Sequence, residues 1–194
     1  MLAAAFILPP IMALKSTIFK ADLQVADMDR HYYDSHGLTI ARHPSETDER
    51  MMMRILAFAL HADPALTFGK GLSADDEPDL WQKDLTGAVD LWIEVGQPDE
   101  KRIMKACGRA ARVVVYSYSP TSHIWWSQTT ARVDRAKNLE VYQLPSETSQ
   151  ALALLAQRTM QVQCTIQDAQ AWITAGDASI GINLTTLKGP TEGR

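Results

Sequence analysis

The sequence has little of what staples or ligates. Its two cysteines, Cys107 and Cys164, make no CxxC and have no histidine close by. That excludes a disulfide framework, predicts reduced buried thiols, and leaves no basis for a disulfide-linked partner. The five histidines are scattered without HExxH or any other zinc spacing, which argues against a soft-metal site. Charge of one sign is also missing. A formal net charge of −4 excludes a protein that coats nucleic acid wholesale, though not one with a local basic groove. Long hydrophobic runs are absent too. The apolar stretch from Leu2 to Leu8 is too short to span a bilayer, lacks a positive leader, and ends at Pro9–Pro10. No internal repeat or low-complexity linker interrupts the rest. The expectation is a cytoplasmic protein without a membrane partner.

What remains suits one compact domain. The chain has 194 residues, 46% of them hydrophobic, enough to bury a core without staples. Residues 1–11 read as a disordered N-terminal extension, 12–188 as a single α/β domain, and 189–194 as a flexible tail. "STIFKADLQVAD" alternates like a strand, and Leu38 to Arg42 supplies its hairpin partner. "HPSETDERMMMRILAFALHAD" is the clearest helix. Ser45 is the expected cap, with Asp48 completing a capping box. The stripe Glu49, Met52, Met53, Leu56, Leu60 puts Glu49 in line with an apolar face, and one of Met51–Met53 is expected to be exposed. A second helix is expected from about Pro98 to Cys107, ending near Gly108. "RVVVYSY" and "NLEVYQL" read as strands. "PTSHIWWSQTTARVDR" and "PSETSQALALLAQR" read as helices, and the tail as two or three antiparallel strands. The predicted fold is a mixed β-sheet flanked by helices.

The chemistry concentrates in "EPDLWQKDLTGAVDLWIEVGQPDEKR". A hairpin about Thr86–Gly87 sets Asp79 opposite Glu94, Trp81 opposite Trp92, and Lys83 opposite Asp90. Aromatic and opposite-charge pairs of this kind stabilise by roughly 0.2–1 kcal/mol each. Asp90 lies about 13 Å along the strand from Glu94, so those two cannot share an ion and Asp90 is a second choice. Asp79 and Glu94, with Cβ atoms roughly 5 Å apart, repel unless a positive group lies between them. A hard cation such as Mg²⁺ is one answer, with Glu49 as a third carboxylate if its helix packs over the sheet. A half-exposed hairpin trimmed with solvated acids is the other reading.

These residues resemble the core of the PD-(D/E)xK nuclease-like, or restriction-endonuclease-like, fold: Pro78–Asp79 on one strand, Glu94 on the next, Glu49 on the preceding helix. From Met12 onward the chain resembles the YaeQ family more specifically. The stretches that carry this are "MALKSTIFKADLQVADMDR", "LTIARHPSETDERMMMRILAFAL", "GLSADDEPDLWQKD", "DLWIEVGQPDEKRIMKAC", "IWWSQ" and "RTMQVQCTIQD". The resemblance implies a bacterial protein with a variant nuclease-like core carrying extra antiparallel strands at both ends. It implies a Mg²⁺-dependent phosphodiesterase acting on nucleic acid, Mn²⁺ substituting, with Asp79 and Glu94 as ligands. Gly96 departs from the pattern, standing where a lysine is expected. Gln97, Lys101 or Lys83 would then orient water or neutralise charge. The other reading is a non-catalytic nucleic-acid- or protein-binding module on the same scaffold.

Further residues have two readings each. Lys101, Lys105, Arg109 and Arg112 would form a phosphate-binding stripe if the helix ran through Gly108, or else a solvated face. Trp125–Trp126 would stack bases or anchor the core. His43, beside the helix start, would bind an anion or make structural hydrogen bonds.

Overall fold

A computed structural model describes residues 16–70 and 76–190. The expected extension over residues 1–11 and part of the short tail lie outside the described residues. The elements run β1 (Thr17–Asp27), β2 (Tyr32–Arg42), α1 (Asp48–Leu60), β3 (Leu66–Phe68), β4 (Leu80–Lys83), β5 (Val89–Val95), α2 (Glu100–Cys107), β6 (Ala110–Ser117) and α3 (Ser122–Val133). They continue with β7 (Leu139–Gln143), α4 (Ser146–Ala153), β8 (Thr159–Gln167), β9 (Gln170–Ala175), β10 (Ala178–Ile182) and β11 (Thr185–Lys188).

The strands form two sheets, not the one mixed sheet expected. Five strands are ordered β10-β9-β8-β1-β2, and six are ordered β11-β7-β6-β5-β4-β3. The terminal segments meet because β1 pairs in parallel with β8, Leu23 opposite Val162. Alternation in β1 shows which face is buried but not which strand lies alongside. Phe19, Ala21, Leu23 and Val25 point inward while Lys20, Asp22 and Gln24 point outward. The hairpin partner is also longer than expected. β2 begins at Tyr32, because a strand with one solvated face tolerates the polar "YDSH" that sequence reads as a turn.

Helix α1 lies between the two sheets, in a core shared by β1, β2, β8, β9 and the inner faces of β4–β6. It is buried all round, which corrects the expectation for the methionines: Met51, Met52 and Met53 are all inside. Its cap is also corrected. Thr47, not Ser45, accepts the first-turn hydrogen bond, from Arg50 N at 3.1 Å. Helix α2 is capped by Asp99 and ends at Gly108. Together α2 and α3 cover the other face of the six-stranded sheet, with Ile103 of α2 packed over Trp92, Val113, Val115 and Leu139.

Candidate active site

The hairpin arithmetic holds at the end that matters. Leu80 pairs with Ile93 and Trp81 with Trp92, and the register shifts only beyond Gln82, where Lys83 comes opposite Val89 instead of Asp90. Asp79 stands one residue before β4, at the carboxyl edge of the parallel strands β5, β6 and β7. Its backbone N–H donates to Ile93 O at 3.0 Å, and its carbonyl accepts from Gly69 N at 2.9 Å. A Cβ on Gly69 would sit 2.0 Å from Pro78 O, so glycine is what lets that segment close over the Pro78–Asp79 backbone.

Asp79 is 1% exposed. Its Oδ2 accepts from Val95 N at 2.8 Å, giving a partner to a backbone donor just beyond the β4 ladder. Its Oδ1 accepts from Arg50 Nη2 at 2.6 Å. Arg50 also donates to Glu46 Oε1 at 2.9 Å, and Glu46 grips Arg54 through Nε at 2.8 Å and Nη2 at 2.7 Å. Burial works against the charge on Arg50, but Asp79 and Glu46 more than offset it and its pKa is raised. The buried Arg54 and Glu46 are thus tied through Arg50 to the candidate site.

Glu94 is 3% exposed and sits on the α2–α3 side of β5. Its Oε1 accepts from Trp92 Nε1 at 2.8 Å and from Arg102 Nε at 2.9 Å. Arg102 reaches on to Glu77 O at 2.8 Å. Burial raises the Glu94 pKa. Arg102 and Trp92 pull it down and the charge of Asp79 adds to the rise, with a net shift upward. The two acids are therefore close enough to feel each other, yet each is drawn to an arginine on a different helix. Tyr118, just past β6, belongs to the same field. Burial pushes its hydroxyl up to about 12, Arg50 lowers it, and Glu49, Asp79 and Glu46 raise it.

Other candidates stand at varying distances from this pair. Glu49 Oε1 accepts from Ser149 Oγ of α4 at 2.6 Å, so its carboxylate is directed to that helix. Among the described residues no three His, Cys, Asp or Glu side chains form a group that could hold a metal ion. Gln97 is exposed and meets Thr121 at 3.4 Å, and Lys101 is exposed on the first turn of α2. Lys83 stacks its ammonium 3.4 Å from the Trp81 ring centroid, and Asp90 is exposed; both are at the far end of the hairpin. His43 Nδ1 lies 2.7 Å from Ser45 Oγ, and its backbone N–H donates to Glu46.

The basic stripe, which required the helix to run through Gly108, does not form. Helix α2 stops at Cys107, Lys105 pairs with Asp76, and Arg109 lies 4.0 Å from the same carboxylate. Arg112, on β6, is held by Glu140 at 2.7 and 2.8 Å. Trp125 and Trp126 both pack on the α2–α3 core, with Trp125 Nε1 donating to Pro98 O at 2.9 Å.

Gly96 explains the missing lysine. Its φ of +114° turns the chain out of β5 in a region that side chains rarely adopt, and its N–H donates to Tyr116 O. A lysine there would be strained; the cations that do lie beside the acids are Arg50 and Arg102. Sequence reasoning missed both arginines. The available signals were that Arg50 adjoins Glu49 and that Arg102 opens the helix directly after Glu94.

A family model described as "YaeQ protein" matches residues 12–184. The uncharacterized protein YaeQ of Escherichia coli strain K12 is 46% identical over 181 residues, covering 93% of this chain and 100% of that one. Its Salmonella typhi counterpart is 45% identical with the same coverage. The crystal structure of YaeQ from Xanthomonas axonopodis pv. citri superposes with a TM-score of 0.86 at 48% identity, covering 90% of this chain and 99% of that one. That of YaeQ from Pseudomonas syringae gives 0.87 at 36% identity, covering 91% and 98%. A family match across most of the chain and a shared fold over nine-tenths of it agree: the chain belongs to the YaeQ family.

Proposed function

We propose that this chain is a divalent-metal-dependent phosphodiesterase acting on nucleic acid, with Asp79 and Glu94 as the ligands of Mg²⁺ and Mn²⁺ as its substitute. The state of Glu94 carries this reading. It is a buried carboxylate of raised pKa beside a second acid, and both of its hydrogen bonds to described residues fall on Oε1. Oε2 remains a hard oxygen donor with lone pairs to give, so the donor set fits a hard cation. Such an ion, when bound, supplies Lewis acidity and a water of lowered pKa.

The chain's own residues do the rest. Asp79 and Glu94 hold the ion. Arg50 and Arg102, each donating to one of the two acids, fix the carboxylates in place and leave the site with positive charge beside a phosphodiester. Gln97 and Lys101, exposed at the edge, orient water and screen the phosphate, while Glu49 stands outside the pair. Lys83 and Asp90, at the far end of the hairpin, take no part.

A second reading rests on a specific observation. With Arg50 on Asp79 and Arg102 on Glu94, the repulsion that asks for a cation is already relieved from within. That suits a non-catalytic module binding nucleic acid or protein on a nuclease-like scaffold. Titration calorimetry with Mg²⁺ and Mn²⁺, run beside cleavage assays on single- and double-stranded DNA and RNA, separates the two. The expected result is metal-dependent cleavage that Glu94→Ala abolishes. Cleavage that survives Glu94→Ala overturns the assigned site. Metal binding without cleavage, or no metal binding at all, favours the module.

A further inference from the structure

The outer face of the five-stranded sheet lies on the other side of that sheet from the core that holds α1, and among the described residues no helix covers it. The register sets its side chains in rows across the strands. One row runs Tyr33, Ala26, Thr165, Trp172, Gly181, and the next runs Ser35, Gln24, Gln163, Thr174, Ser179. The first row has an exposed aromatic near each end, Tyr33 at 62% and Trp172 at 37% exposure, with small residues between them. Three strand spacings separate the two rings, about 14 Å. The indole lies against Gly181, where an added Cβ would come 3.8 Å from Trp172 Nε1.

The second row is made of amides and hydroxyls, which both donate and accept. Gln163 Nε2 reaches Gln24 Oε1 at 3.5 Å, and Thr174 Oγ1 meets Ser179 Oγ at 3.1 Å. The surface is dished. One depression of about 470 Å³ lies over Tyr33, Ser35 and Thr165, another of about 240 Å³ over Gln161 and Thr174, and Gln24 and Gln163 line both. Charges on this face favour a neutral ligand. Asp22 is held by Gln161 at 2.7 Å and Lys20 stands at the far end, while Asp34, on the opposite face of β2, reaches only the rim of the larger depression. A polyphosphate backbone would meet carboxylates here without a cluster of cations to receive it.

We propose that this sheet face is a binding site for a neutral oligosaccharide, laid across the strands with sugar rings on Tyr33 and Trp172 and hydroxyls on the Gln24–Gln163 row. Aromatic rings offer an apolar face to the C–H side of a pyranose, and amides match its vicinal hydroxyls. The site lies on a different sheet from Asp79 and Glu94 and does not depend on the function proposed for them.

The test is NMR titration of the full chain with cellotetraose, maltotetraose and chitotetraose, with oligouridylate as the charged comparison. Saturable shifts confined to β1, β2, β8 and β9 are expected with at least one glycan. Trp172→Ala and Tyr33→Ala should each weaken that binding roughly tenfold, as loss of a stacking platform predicts. Both side chains are exposed, and Gln163→Glu, which keeps the shape but adds charge, should weaken it as well. Glu94→Ala should leave it unchanged. No binding to any glycan at millimolar concentration overturns the proposal, as does binding indifferent to Trp172→Ala, or oligouridylate binding in place of glycan.

Discussion

Ionising Glu94 inside the fold exchanges bulk water for one guanidinium and one indole N–H. Burial dominates that exchange, so its pKa lies above the ordinary 4.5. Between the two values the folded chain still holds a proton that the unfolded chain has released. The stability linked to this group is therefore fully present below the ordinary carboxylate range and is lost as pH rises through the folded value. Urea unfolding from about pH 4 upward should thus show wild type losing stability relative to Glu94→Gln as pH increases. A difference that grows the other way would mean Arg102 outweighs burial. At this scale the acids were legible and their partners were not. Asp79 and Glu94 follow from counting residues about a turn. Arg50 did not, because adjacent helical residues point about 100° apart: the apolar stripe drew attention to Glu49, while its neighbour reaches Asp79.

Strands and capped helices were legible even where burial is complete, but the neighbours that bury them were not. The acidic hairpin and the capped helix α2 lie where the turn and the cap put them, although β5 is covered on both faces. Helix α1 departs from its stripe because it is enclosed. Nine consecutive residues, Met51 to Ala59, are buried, and even Arg54 is inside, held by Glu46. A hydrophobic run interrupted by an arginine gives no local sign of a sheet on either side. The capping signal was ambiguous for a different reason, since "PSETDE" offers several acceptors in a row. Only Thr47 meets the first-turn N–H, while Ser45 is occupied with His43. Thr47→Ala should cost about 1 kcal/mol, whereas Ser45→Ala should fall within the few tenths expected of an exposed substitution. Chemical denaturation of the two variants side by side checks the assignment.

Across the whole molecule, the outcome that local pattern could not foresee is the union of β1–β2 with β8–β10 in one sheet, while the last strand, β11, returns to the other sheet beside β7. Parallel pairing of β1 with β8 leaves no trace in either strand's alternation, so local pattern reads the two regions as separate additions to a central sheet. The shared core makes them interdependent, since α1 packs on residues from both sheets in one continuous cluster. Damage to the five-stranded sheet should therefore unfold the six-stranded one with it. Leu23 is 0% exposed in β1, while four of the five tryptophans, Trp81, Trp92, Trp125 and Trp126, lie on the six-stranded sheet or its covering helices; the fifth, Trp172, is on β9, so a Trp172→Phe background confines the fluorescence to the six-stranded side. Leu23→Ala removes buried volume at an expected loss of about 2–5 kcal/mol. In a chain of this size that lowers the melting temperature by about 5–15 °C. If the two sheets are one cooperative unit, tryptophan fluorescence and far-UV circular dichroism should shift together by that amount. A fluorescence transition that stays in place while the dichroism splits into two steps would show that each sheet folds on its own. The core around α1 would then be an interface between domains, not the interior of one.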